Sequence, residues 1–167
     1  MTLGKKDSPA RLRSSFEQLY SSARSLNSSS DELSKIIAAF DDTLKKLNLG
    51  VSAWVTFSSA SDEPGWYTYF DQLGYTKLSG KWGISIREMK RDEQNGEDEL
   101  LQESLFADAA RTLRVKAIDG LPDLIETLLT EVRNANKSLD QKVGVARDLL
   151  KALKDFGVGV ETAEVEK

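Results

Sequence analysis

The sequence predicts an α+β fold: a long antiparallel helical hairpin, a coiled-coil-like stalk, with a small antiparallel β-sheet head inserted between its two long helices. Three observations predict it. Apolar side chains at Leu12, Phe16, Leu19, Ala23, Leu26, Leu33, Ile37, Phe40, Leu44 and Leu47 recur in alternating four- and three-residue steps, with Ser30 as the one polar member. That spacing is a heptad seam. A second seam runs through Ile125, Leu128, Val132, Ala135, Leu139, Ala146, Leu149, Leu153 and Phe156, with Lys142 as its polar member. The stretch between them is rich in β-branched and aromatic residues and contains a Ser79-Gly80 hairpin signal.

A chain of 167 residues suits one folding unit, 1–167. Within it, 9–48 and 121–156 form the stalk, 51–118 the head with an additional helix, and 1–8 and 158–167 mobile tails. Ser8-Pro9 opens the first helix, since serine caps free N–H groups and proline at the first helical position lacks the donor it would strand. Ser29 and Glu32 fit a capping box, which would split this region into a helix-turn-helix. The four-three spacing nevertheless continues through the serines without a slip, and a turn has no reason to preserve helical register. One helix of about 40 residues, on the order of 60 Å long, is therefore expected, stopped by Asn48 and Gly50.

Val51–Phe57 reads as a strand with apolar side chains on both faces, and Ser58–Gly65 as a polar loop. The aromatic cluster Trp66, Tyr67, Tyr69 and Phe70 follows, as head core or as binding surface. A two-residue turn at Ser79-Gly80 sets Leu78 opposite Lys81, Lys77 opposite Trp82 and Tyr75 opposite Ile84. Leu73, Tyr75, Trp82, Ile84 and Ile86 then share the core face, while Gly74, Thr76, Gly83 and Ser85 make a smooth strip on the other. Residues 91–99 read as a solvated acidic loop. From about Leu100 to Ile118 one or two helices are expected, with Leu113–Ile118 also able to alternate as a short strand. Asp119-Gly120-Leu121-Pro122 breaks the chain before the second long helix, which Gly157 ends.

The chain has no histidine and no cysteine. Serine-histidine chemistry, thiolate catalysis, disulfides and His- or Cys-ligated metals are thereby excluded. Gly74 to Lys81 fails as a phosphate loop because five residues separate Gly74 from Gly80 and Trp82 stands where Ser or Thr is required. The loop from Arg91 fails as a calcium loop, since Arg91 takes the first ligand position and Gln102 the twelfth. No catalytic residue, metal or cofactor is expected. No apolar run is long enough to span a bilayer, and the N-terminus lacks the apolar core of a secretory signal, so a cytoplasmic protein without a membrane partner is expected.

The expected function is that of a non-enzymatic interaction or scaffold protein. Leu124, Leu129 and Leu150 flank the second seam, and Tyr20 and Ile36 the first, so each stripe is wider than a two-helix coil needs. Pairing of two hairpins into a four-helix bundle, a homodimer, follows. The strip Gly74, Thr76, Gly83 and Ser85 admits either close packing of a helix of the same chain or docking of an unknown protein partner. Nucleic-acid binding is the alternative: Lys77, Lys81, Arg87, Lys90 and Arg91 face Glu88 alone between Leu73 and Arg91, next to the aromatic cluster. The net charge of −4 argues against a generally basic coat.

Overall fold

A computed structural model describes residues 8–156. The tails expected at 1–8 and 158–167, like the Gly157 stop, lie outside the described residues, apart from Ser8, which begins the first helix. Helix α1 spans Ser8–Leu47 without interruption. The serines at 28–30 do not break it, and Ser34 Oγ donates back to the Ser30 carbonyl at 2.9 Å, a bond available only inside a continuous helix. Asn48 and Gly50, at φ 48° and 67°, then turn the chain out of the helix through left-handed backbone.

Four strands follow as an antiparallel meander in sheet order β1-β2-β3-β4: Ala53–Ser61, Tyr67–Leu78, Lys81–Asp92 and Asp98–Leu105. The β2–β3 hairpin has the expected register, with Tyr75 opposite Ile84 and Leu78 opposite Lys81. Ser79 and Gly80 both have positive φ, as a two-residue turn matched to the strand twist requires. A 3-10 turn at Phe106–Asp108, a short helix α2, Arg111–Ala117, and a second 3-10 turn at Ile118–Gly120 lead into α3, Leu121–Asp155.

Two local expectations are corrected. The segment from Ser58 is strand rather than loop as far as Ser61: β1 slips its register between Thr56 and Ser58, and beyond the bulge Ser58 to Ser61 pair with Asp71 to Thr68. Strand pairing of the serines is supported by a 3.0 Å hydrogen bond between the Ser61 and Thr68 hydroxyls. The second correction is larger. Asp98–Leu105 is strand β4 and not the start of a helix. Leu100, Leu101, Gln102 and Glu103 have high helix propensity, but Gly96 at φ 71° closes a hairpin and cross-strand charges hold it. Arg91 donates two bonds to Asp98, at 2.7 and 2.8 Å, and Lys90 lies 3.5 Å from Glu99. Part of the supposed acidic loop is therefore paired strand, and only 111–117 of the expected helical stretch is α-helix.

The core lies on one face of the sheet, where Leu73, Tyr75, Ile84 and Ile86 are buried, as the hairpin register requires, with Trp82 half-buried beside them. α3 covers this face over β1 and β2 with Leu124 and Leu128, while α1 packs against β3 with Ile37 and Leu44. Each such side chain, fully buried, stabilises the fold by about 1.5–3 kcal/mol. Gly120 permits the close approach of α3, because a Cβ there would stand 3.3 Å from Phe57 Cβ and 3.6 Å from Val55.

The long helices thus meet the sheet rather than each other at their buried positions. Residues 9–29 of α1 are all exposed, and so is α3 beyond Val132 except for Leu150, which is half-buried. The antiparallel seam-to-seam stalk expected from the matched periodicities is not formed along these distal halves within the single chain.

Candidate interaction surfaces

The distal seams present the largest apolar surfaces. Phe16 and Leu19 on α1 are 61% and 62% exposed, and Leu139 and Leu149 on α3 are 59% and 62% exposed. Leu12, Leu26, Leu153 and Phe156 are exposed with them. On α3 the flanking Val143 and Val145 widen the stripe beyond the seam itself. Among the described residues no helix is long and apolar enough to cross a membrane.

The second surface is the sheet face opposite the core. It carries the smooth strip, but the chain covers much of it. The Trp54 indole covers Gly74, where an added Cβ would run into the ring. Arg87 lies over the same indole at 4.0 Å from its centre. Gly83 is approached by Leu105 and by the Asp41 carboxylate. Ser85 is fully buried, and Thr76 is half-buried with its hydroxyl 3.1 Å from that of Ser52.

The five candidate cations do not gather on one face. The register puts Lys81, Arg87 and Arg91 with Gly83 and Ser85, and Lys77 and Lys90 with Tyr69 and Trp82. Arg91 is bound to Asp98, and Lys90 to Glu99 and over the Tyr67 ring at 4.2 Å. Arg87 donates Nε–H to Gln72 Oε1 at 2.7 Å, and Gln72 in turn donates to Thr56. Burial lowers the Arg87 pKa, opposed by the nearby Glu103 and Asp98 carboxylates. Among the described residues Lys77, Lys81 and Arg87 have no carboxylate within ion-pair distance. Of the aromatic cluster, Trp66 and Tyr69 are exposed, Tyr67 and Phe70 are half-buried, and none belongs to the buried core.

A third surface was not visible in the sequence. β4 ends at Leu105 opposite Ser85, so β3 from Lys81 to Ile84 has no neighbouring strand on that side. α1 takes the place of one. Asp41 Oδ1 accepts the Ile84 N–H at 2.8 Å, and its other oxygen binds the Lys45 ammonium. That hydrogen bond, ahead of the opposing effect of burial, raises the Lys45 pKa. Between helix and strand edge lies a cavity of about 620 Å³, bordered by Ile37, Tyr75, Trp82, Ile84 and Phe106. Tyr75 and Trp82 stack at 5.4 Å between ring centres. Burial, reinforced by Asp41, pushes the Tyr75 pKa up. Tyr75, Trp82 and Ile84 are legible as core-face residues, but nothing in the periodicity joins Asp41 to an amide 43 residues away.

Compared with protein families, curated proteins and solved structures, the chain matches none of them. The surfaces themselves are the basis for function.

Proposed function

We propose that the chain is a non-enzymatic interaction or scaffold protein that self-associates through its two long helices. The observation that carries this reading is the exposure of both distal seams, about 31 to 35 Å of helix each at roughly 1.5 Å per residue, on helices whose other ends are anchored to the sheet. A heptad seam left in water forgoes the burial that favours its helical state, and helices of this length draw most of their stability from packing an apolar face. A second copy offers the same two stripes and so can cover both. The extra width of the α3 stripe, from Val143 and Val145, suits a four-helix arrangement better than a two-helix one. The coiled-coil pairing expected within one chain is thus assigned between chains, and the sheet head, held away from the distal halves, is left to meet a protein partner.

The absence of native cysteine makes the test direct. A spin label on Lys142→Cys, within the α3 seam, should give a defined intermolecular distance in pulsed electron resonance. A featureless decay, as from isolated monomers, would rule out pairing through α3.

A second reading, nucleic-acid binding by the hairpin, draws on the three cations Lys77, Lys81 and Arg87 that lack a carboxylate partner among the described residues. It requires affinity for single-stranded oligonucleotide that weakens as salt rises and falls on Lys77→Glu or Lys81→Glu, because phosphate contacts release counterions. Affinity indifferent to both would remove it.

A further inference from the structure

The cavity between α1 and the free end of β3 has the character of a ligand site. Its volume of about 620 Å³ falls within the usual range for small-molecule pockets, about 300–1,000 Å³. Most of its wall is apolar, from Ile37, Trp82, Ile84, Leu105 and Phe106. The polar residues at the cavity are Ser34, Asp41, Lys45, Asn48, Tyr75 and Lys81. Tyr75 is only 1% exposed, yet among the described residues its hydroxyl has no hydrogen-bond partner and is not sealed from the cavity it lines.

The charged side chains at the cavity are Asp41, Lys45 and Lys81. Lys45 lies against Asp41 and 3.9 Å from Asp42 as well, so its charge is already answered. Both Asp41 oxygens are engaged, one by the Ile84 N–H and the other by Lys45, so the carboxylate has little left to offer a cationic ligand. Lys81 has no carboxylate partner among the described residues.

We propose that this cavity binds a small amphiphile with a single carboxylate head, which accepts from the Tyr75 hydroxyl and sits against Lys81, while its apolar body lies along Ile37, Trp82, Ile84 and Phe106. The site belongs to the head and does not depend on how the long helices pair.

Dodecanoate, titrated below its micelle concentration into the full chain carrying ¹³C-labelled isoleucine methyls, tests this by NMR. Saturable shifts are expected at Ile37 and Ile84, with Ile118 and Ile125 unmoved. Tyr75→Phe keeps the ring and removes the donor, and should weaken binding about tenfold, the equivalent of one hydrogen bond to a charged group. Ala38→Trp, which places an indole in the cavity from an exposed position on α1, should abolish the shifts while Ile118 and Ile125 report an intact fold. Dodecyltrimethylammonium, of the same tail and opposite charge, should leave Ile37 and Ile84 in place. The proposal is overturned if wild type shows no shift at Ile37 and Ile84, if both variants bind dodecanoate as wild type does, or if the cationic probe binds equally well.

Discussion

Replacing Asp41 by alanine removes the only group among the described residues that satisfies the Ile84 amide. Ile84 is 2% exposed and its N–H points away from β2 toward the place where β4 has already ended. Without the Asp41 carboxylate at 2.8 Å, that donor is left buried and unpaired, which costs about 1–3 kcal/mol. The lost Lys45 pair adds little, since that ammonium is 43% exposed and exposed pairs contribute about 0–1 kcal/mol. Alanine recovers up to roughly 0.7 kcal/mol through helix propensity. The net expectation is a loss of about 1–3 kcal/mol in urea unfolding at fixed protein concentration. Hydrogen exchange at Ile84 should accelerate more than at Ile86, which keeps its place between β2 and β4. Asp41→Asn retains an acceptor oxygen and should lose less. Unfolding within about 0.5 kcal/mol of wild type, together with unchanged Ile84 exchange, would refute the assignment of Asp41 as the link between α1 and the strand edge.

Three further outcomes follow from the same geometry. Gly74→Ala should destabilise by about 1–3 kcal/mol, the usual cost of overpacking, and shift tryptophan emission to the red, because the new methyl displaces the Trp54 indole from beneath Arg87. Ser30→Leu fills the polar gap in the α1 seam and replaces a weaker helix former, so the melting temperature should rise; a fall would contradict the continuous helical seam. The third concerns Tyr75. Its folded pKa lies above 10.0, so as pH rises past about 10 the unfolded chain loses the phenolic proton first and stability falls. Urea midpoints measured across that range should decline more steeply for wild type than for Tyr75→Phe.

How far the fold could be read ahead depended on where each element draws its stability. α1 and the β2–β3 hairpin were legible because their signals are local: an unbroken four-three spacing through Ser28–Ser30, and Ser79-Gly80 at the two positions that take positive φ. β4 was not, because Leu100, Leu101 and Gln102 favour a helix in isolation and become strand only through pairing with β3, including Arg91 with Asp98. The seams show a different limit. Heptad spacing states that a stripe is to be covered but not by which chain, and the expected intramolecular hairpin gave way to distal halves standing exposed. The strip of Gly74, Gly83 and Ser85 was legible as a smooth row, whereas its cover, Trp54 and Leu105, comes from residues at some distance in the sequence. The cavity was the least visible, since it exists only because β4 stops short and α1 crosses the gap.

Self-association through the distal seams is tested most directly by sedimentation equilibrium of the full chain beside its Leu149→Asp variant. A chain of 18.5 kDa should sediment at micromolar concentration as a dimer of twice that mass, about 37 kDa. Burial of a leucine is worth about 1.5–3 kcal/mol, and aspartate at the 62% exposed Leu149 would set a charge in each copy of the apolar contact, so the variant should return to the monomer mass with the head intact. A wild-type chain that sediments at the monomer mass across that range, or a variant that dimerises as well as wild type, would contradict the account.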